Sequence, residues 1–120
     1  MNKKILVIDD EPELVKALKI RLETKGYEVI TAFNGEEGMK KVQEEKSHLI
    51  ILDVQMPAMD GYRFVRELKK RLDPIPPIIV LTAKDKLQDL FELEGVTDYI
   101  IKPFEHQELL DRVSKLLGQD

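Results

Sequence analysis

The stretch HLIILDVQMPAMDG, residues 48–61, decides the fold. Leu49 to Leu52 is an unbroken apolar run, followed by a Met-Pro turn and an Asp-Gly pair. A run without alternation marks a strand buried on both faces, as in a parallel sheet covered by helices. It ends in a carboxylate, Asp53. An aspartate there either shapes a turn or is held for chemistry, and the rest of the chain bears on which.

Working outward, Lys4–Ile8, Ile78–Leu81 and Tyr99–Ile101 are short apolar runs of the same kind, and Glu28–Ala32 is a weaker one. Helical periods lie between them. Leu14, Val15, Leu18 and Leu22 share a face, as do Phe64, Val65, Leu68 and Leu72, then Leu87, Leu90 and Phe91, and last Leu109, Leu110, Val113, Leu116 and Leu117. Glu36–Lys46 has the thinnest stripe, Met39 and Val42, but a well-marked start: Asn34 is a good N-cap, with Glu37 three residues on. Asp85 and Gln88 repeat that spacing at the fourth helix. Five strands alternating with five helices predict an α/β fold, a doubly wound five-stranded parallel sheet with helices on both faces. The linkers are short, and LDPIPP reads as a stiff lead into the fourth strand. Residues 1–120 are expected to form one domain.

At 120 residues, 42% hydrophobic and 35% charged, the chain has the makeup of a globular protein with one continuous core. It has no cysteine, which excludes disulfides and thiolate metal sites and permits a reducing compartment. No apolar run approaches the roughly 18 residues of a membrane helix. The start, MNKKILVIDD, breaks into acids where a leader would continue, so a cytoplasmic location is expected. Nineteen Lys and Arg against 23 Asp and Glu leave a net charge of −4, the wrong sign for a nucleic-acid footprint.

The polar residues at the strand ends carry the chemistry. The first strand runs into Asp9, Asp10 and Glu11, the third into Asp53, the fourth into Thr82 and the fifth into Lys102. In an open parallel sheet these ends share one edge, where ligands bind, so acids, a hydroxyl and an ammonium scattered over the sequence converge. Crowded carboxylates repel unless a cation intervenes. An oxygen-only donor set suits a hard cation, foremost Mg²⁺, which keeps several waters and accepts phosphate oxygens as co-ligands. A phosphoryl group on such an ion would also meet Lys102 as a point charge and Thr82 as a donor. Asp53, on the central strand, is the carboxylate placed to act as nucleophile and form an acyl phosphate.

The segments ILVIDDEP, LIILDVQMPAMDGYRF, IIVLTAK and DYIIKPF resemble the receiver domain of two-component response regulators over essentially the whole chain. The resemblance implies a flavodoxin-like strand order, 2-1-3-4-5. It implies that Asp53 is the phosphoacceptor for a sensor histidine kinase or phosphotransfer protein, with small donors such as acetyl phosphate serving as well. It further implies Mg²⁺ held by Asp10 directly, by Asp9 mainly through water, by Asp53 and by the backbone carbonyl of Gln55. Thr82 and Lys102 would hold the phosphoryl oxygens, Tyr99 would turn in step with Thr82, and Lys102–Pro103 would be cis. Gln55 and Lys84 would tune phosphate lifetime. The implied protein is a signalling switch that catalyses only its own phosphorylation and dephosphorylation. Its output surface is the fourth helix, fifth strand and fifth helix, with homodimerisation among the outcomes and neither nucleic acid nor membrane among the partners. One departure, EGVTDY where a Gly-Ala-Asp sequence is common, in a slightly short stretch between Thr82 and Lys102, leads to an expectation of a short or mobile fourth helix.

Each residue alone has a plainer reading. Asp9 and Asp10 would suit a helix start with Glu11 and Pro12, Asp53 a turn, Thr82 a strand-end hydroxyl and Lys102 a surface lysine. Their joint placement at corresponding strand ends favours chemistry. Asp60–Gly61 reads as the cap of the third helix, and His48 and His106 as solvent-facing. Phe104 reads as packing beside the last helix as readily as partner contact. Tyr99 reads as an edge-strand aromatic that only the resemblance makes a switch. Two rivals fit less well. A phosphatase of the haloacid dehalogenase kind needs a second acid two residues after the nucleophile, where Gln55 stands. A flavin site needs a phosphate loop rich in Ser, Thr and Gly, where IDDEPE would repel the phosphate.

Overall fold

Strands buried on both faces need helices above and below them, and the chain supplies both layers. The structure, a computed structural model, describes residues 2–54, 60–83, 88–96 and 98–118. Its strands are β1 (Lys4–Ile8), β2 (Glu28–Ala32), β3 (Leu49–Asp53), β4 (Ile78–Thr82) and β5 (Asp98–Ile101), all parallel in the order β2-β1-β3-β4-β5. The helices are α1 (Pro12–Thr24), α2 (Gly35–Glu44), α3 (Gly61–Arg71), α4 (Gln88–Leu93) and α5 (His106–Leu117). This is the doubly wound, flavodoxin-like α/β sheet expected from the sequence. No helix among the described residues is long and apolar enough to cross a membrane.

Successive residues of a strand point to opposite faces, and the core divides accordingly. Leu6, Ile8, Ile50, Leu52 and Val80 pack with residues of α2, α3 and α4, among them Met39, Phe64, Leu68 and Phe91. Ile5, Val7, Leu49, Ile51 and Leu81 pack with Val15, Leu18 and Leu22 of α1 and Leu109 and Val113 of α5. Phe104 joins this second cluster, the packing role of its two readings.

Helix starts follow their sequence signals closely. Asn34 Oδ1 accepts the Glu37 N–H at 2.8 Å, while the Glu37 carboxylate turns back to the Phe33 N–H rather than to that of the cap residue. α2 stops at Glu44, short of the expected Lys46, because Glu45 is already extended. Asp60 caps α3, accepting from the Arg63 N–H at 2.8 Å. α4 is short, as expected, with 6 residues. Of the predicted stripe's described residues, it buries Phe91 but leaves Leu90 exposed. The Phe91 ring sits between Tyr62 (5.6 Å) and Tyr99 (6.3 Å), measured between centroids. Leu87 and Asp85, the other residues predicted to shape α4, lie outside the described residues.

The histidines differ from expectation. His48, just before β3, accepts the Lys4 backbone N–H of neighbouring β1 on its Nδ1 at 3.0 Å. His106, at the start of α5, meets the Phe104 ring edge-on at 6.0 Å with its Nδ1 buried.

Candidate functional site

The sheet's hydrogen bonding brings the strand-end residues to one level. The Asp9 N–H extends the β1–β2 ladder onto Ala32 O (3.1 Å), the Val54 N–H extends β3–β4 onto Leu81 O (3.1 Å), and the Lys102 N–H extends β4–β5 onto Thr82 O (2.7 Å). Asp53 is the last residue of β3, opposite Leu81, and Thr82 closes β4 opposite Ile101. Asp9, Asp53, Thr82 and Lys102 therefore leave the sheet along its carboxyl edge. Beyond Asp53, α3 enters very close: the Gly61 N–H donates to Val54 O at 2.9 Å. A Cβ at Gly61 would stand 2.8 Å from Val54 Cα and 3.0 Å from Asp53 O. Only glycine fits that approach.

Asp9, Asp10 and Asp53 each present a carboxylate oxygen, and these oxygens lie within 4.8 Å of one another. Asp9 and Asp53 are buried and Asp10 is exposed. Lys102 closes the cluster, its Nζ 2.9 Å from Glu11 Oε1, 3.2 Å from Asp9 Oδ2 and 3.4 Å from Asp53 Oδ1. Asp9 Oδ1 also accepts the Glu11 N–H at 2.9 Å, so the turn-forming and clustering roles of Asp9 coincide in one side chain.

The electrostatics follow from the burial. Desolvation pushes the Asp9 carboxyl above its ordinary value, outweighing the Glu11 N–H and the Lys102 charge, which both favour the anion. Desolvation also works against the Lys102 ammonium. There the Glu11 hydrogen bond and the charges of Asp9 and Asp53 together prevail, and its pKa is raised. Among the described residues, the carboxylates of Asp9, Asp10, Glu11 and Asp53 outnumber the one lysine that meets them.

Thr82 is fully buried. Tyr99 pairs with Val80, two residues before Thr82, which places Thr82 and Tyr99 on the same face of the sheet. Tyr99 is half-buried against the α4 side of the core. The Lys102–Pro103 bond is cis, as expected, and so is Asp73–Pro74. Gln55 and Lys84 lie outside the described residues. Glu11, placed by the sequence with the strand-end acids but given no role beyond a helix start, is the N-cap residue of α1; its side chain makes no cap bond and goes to Lys102 instead. The signal for it was its place directly after Asp9 and Asp10. Gly61 likewise looked like part of a cap, and its closeness to β3 shows only in three dimensions. A cleft of about 530 Å³ lies at the opposite, amino edge, lined by Val42, His48, Leu72 and the proline-rich lead into β4, away from these groups.

Three hard oxygen donors at this spacing, with no His or Cys among them, fit a small divalent cation such as Mg²⁺. Asp53 is the buried carboxylate at the centre of the sheet edge, within reach of the lysine that would steady an anionic group beside it.

Comparison with known proteins agrees with this geometry. The profile of the response regulator receiver domain family matches residues 5–114. The alkaline phosphatase synthesis transcriptional regulatory protein PhoP of Bacillus subtilis (strain 168) is 47% identical over 119 residues, 98% of this chain and 49% of that protein. The probable transcriptional regulator ycf27 of Cyanophora paradoxa is 47% identical over 118 residues, 97% of this chain and 48% of that protein. The chain thus spans about half the length of these curated relatives. Among solved structures, the response regulator TrrA from Thermotoga maritima, in complex with Mg²⁺-BeF, matches with a TM-score of 0.85 at 38% identity, over 95% of this chain and 98% of that one. The chemotaxis response regulator CheY4 of Vibrio cholerae matches with a TM-score of 0.88 at 30% identity, over 97% of this chain and 99% of that one.

Proposed function

Because the chain belongs to the response regulator receiver domain family, we propose that Asp53 is its phosphoacceptor and that the charged sheet edge works as a phosphorylation switch. The observation that carries this reading is the gathering of Asp9, Asp10 and Asp53, with carboxylate oxygens within 4.8 Å of one another and Lys102 against them. Asp9, Asp10 and Asp53 would hold Mg²⁺, joined on the family's pattern by the carbonyl of Gln55. Bound there, the ion would offset carboxylate repulsion and neutralise phosphoryl oxygens. That TrrA, 38% identical, is in complex with Mg²⁺-BeF supports a magnesium site here.

In the proposed transfer, an Asp53 carboxylate oxygen attacks phosphorus in line as the bond from phosphorus to the donor breaks. With a phosphohistidine donor the leaving imidazole takes up a proton; with acetyl phosphate the leaving group is acetate. Lys102 and Thr82 hold the phosphoryl oxygens of the acyl phosphate. Drawing Thr82 toward that group opens space on the face it shares with Tyr99, which biases the surface formed by α4, β5 and α5. The donor is a sensor histidine kinase or phosphotransfer protein, which places the chain in the cytoplasm. Residues 1–120 act as one receiver unit, homodimerisation is one route of output, and the net charge of −4 gives the chain no footing on nucleic acid of its own.

Intact-mass spectrometry after incubation with acetyl phosphate and Mg²⁺ tests the assignment. The wild-type chain should gain one phosphoryl group, and chelation of magnesium should prevent it. Asp53→Asn should gain none. Uptake by that variant at the wild-type rate would overturn the choice of nucleophile.

A further inference from the structure

A lysine ammonium has three protons to donate, and here three carboxylates take them: Glu11 at 2.9 Å, Asp9 at 3.2 Å and Asp53 at 3.4 Å. A phosphoryl oxygen gains a hydrogen bond from Lys102 only when one of the three is let go. The acids differ in what release does to them. The Asp9 and Asp53 side chains are 0% and 5% exposed, so each would be left as a buried, less compensated charge. Glu11 is 60% exposed, and its carboxylate returns to water. It is also the nearest of the three. Its backbone is tied to Asp9 through its N–H, so the side chain can swing without moving the turn.

Resting on the reading of Asp53 as phosphoacceptor, we propose that Glu11 is a positioning residue for that reaction: it draws the Lys102 ammonium to the outer lip of the site, and its release frees the lysine for the phosphoryl group.

Removing this hold speeds phosphorylation. At saturating Mg²⁺ and with acetyl phosphate as donor, Glu11→Gln should take up phosphoryl roughly two to five times faster than wild type, the scale of an ion pair with one exposed partner. Glu11→Asp keeps the charge but shortens the arm by a methylene, and it should show the same gain. Glu13→Gln removes a charge from an exposed residue of the next turn, outside the Lys102 cluster, and should leave the rate unchanged. A second readout needs no phosphoryl transfer: in Mg²⁺-free protein, acylation of Lys102 by an amine-reactive ester, followed by peptide mass spectrometry, should be faster in both Glu11 variants than in wild type. If Glu11→Asp behaves as wild type while Glu11→Gln and Glu13→Gln are both faster, net charge at the lip explains the rates and the proposal falls. It falls equally if neither rate nor labelling responds to Glu11. A wild-type chain that takes up no phosphoryl defeats the functional reading instead, and the labelling then decides the Glu11–Lys102 hold by itself.

Discussion

Two lysines bridge acids from distant parts of the chain, one at each end of the sheet, and they are almost equally sheltered, with side chains 23% exposed for Lys4 and 19% for Lys102. Their acids are not alike. Lys4, at the amino end of β1, meets Glu28 at 3.5 Å and Glu45 at 3.4 Å, whose side chains are 58% and 40% exposed. Water solvates those carboxylates whether or not the lysine is present. Lys102, at the carboxyl edge, meets Asp9 and Asp53, 0% and 5% exposed, with Glu11 on the lip and Asp10 alongside. The contact distances at the two ends overlap, so geometry does not separate them. Burial of the acids does. At the amino end an ion pair ties down a surface; at the carboxyl end, among the described residues, Lys102 alone faces a buried negative excess, which lowers stability and which a bound cation would relieve.

Removing the two lysines in turn tests this contrast most severely. Lys102→Met strands buried carboxylates and should destabilise the Mg²⁺-free protein by about 3 kcal/mol, the scale of breaking a buried ion pair. Added magnesium should recover part of that loss. Lys4→Met should cost less than about 1 kcal/mol and be indifferent to magnesium. Urea unfolding of both variants, with and without the metal, checks the pair. Equal losses would erase the distinction. Next in size is the backbone beneath the site. Gly61→Ala drives a Cβ into the Val54 and Asp53 backbone, which has little room to move, and should cost about 2 kcal/mol while slowing phosphoryl uptake. Gly38→Ala makes an even closer contact at 2.6 Å, but with the end of the Ile8 side chain. That side chain can turn, and alanine favours the helix, so the loss there should be smaller.

The two ends of the sheet were also unequally legible in the sequence. The strands and their doubly wound arrangement could be read because burial on both faces leaves unbroken apolar runs such as Leu49–Leu52. Asp9, Asp53, Thr82 and Lys102 could be gathered because a parallel sheet sends every carboxyl end to one edge. Contacts that depend on how far a particular side chain reaches could not. His48, read as solvent-facing, finds the Lys4 N–H across 44 residues, and Glu11, read as a strand-end acid or part of a helix start, finds Lys102 across 91. Leu90 has the spacing of a core residue and is exposed, since a helix of 6 residues can turn only one side inward. Gln55 would contribute a backbone carbonyl, for which no residue type is a signal, so only the family resemblance points to it.

Smaller effects should appear as pH responses of opposite sign in two acid clusters. Burial holds the Asp9 carboxyl above its ordinary value of 3.8, so the folded state binds that proton more tightly than the unfolded chain does. Stability therefore falls as pH rises through the raised folded value. Asp9→Asn should remove this slope, raise the thermal midpoint of the Mg²⁺-free protein at neutral pH by the equivalent of about 1 kcal/mol, and weaken the stabilisation that magnesium adds. Glu94, just past the end of α4, is the reverse case, one acid with two donors: Lys69 Nζ and Tyr62 Oη each stand 3.1 Å away. The Lys69 hydrogen bond, opposed by desolvation and aided by Tyr62 and by the charges of Lys69 and Arg66, lowers its pKa. Its stabilising effect is then fully present above the ordinary value of 4.5 and is lost as pH falls through the lowered folded value. Glu94→Gln should accordingly reduce the midpoint at neutral pH by the smallest margin of the set, and the difference from wild type should close in acid. A deficit that persists where the carboxylate is protonated would mean that Glu94 holds α4 against α3 by shape and neutral hydrogen bonds, and that its charge, unlike that of Asp9, is not what the fold feels.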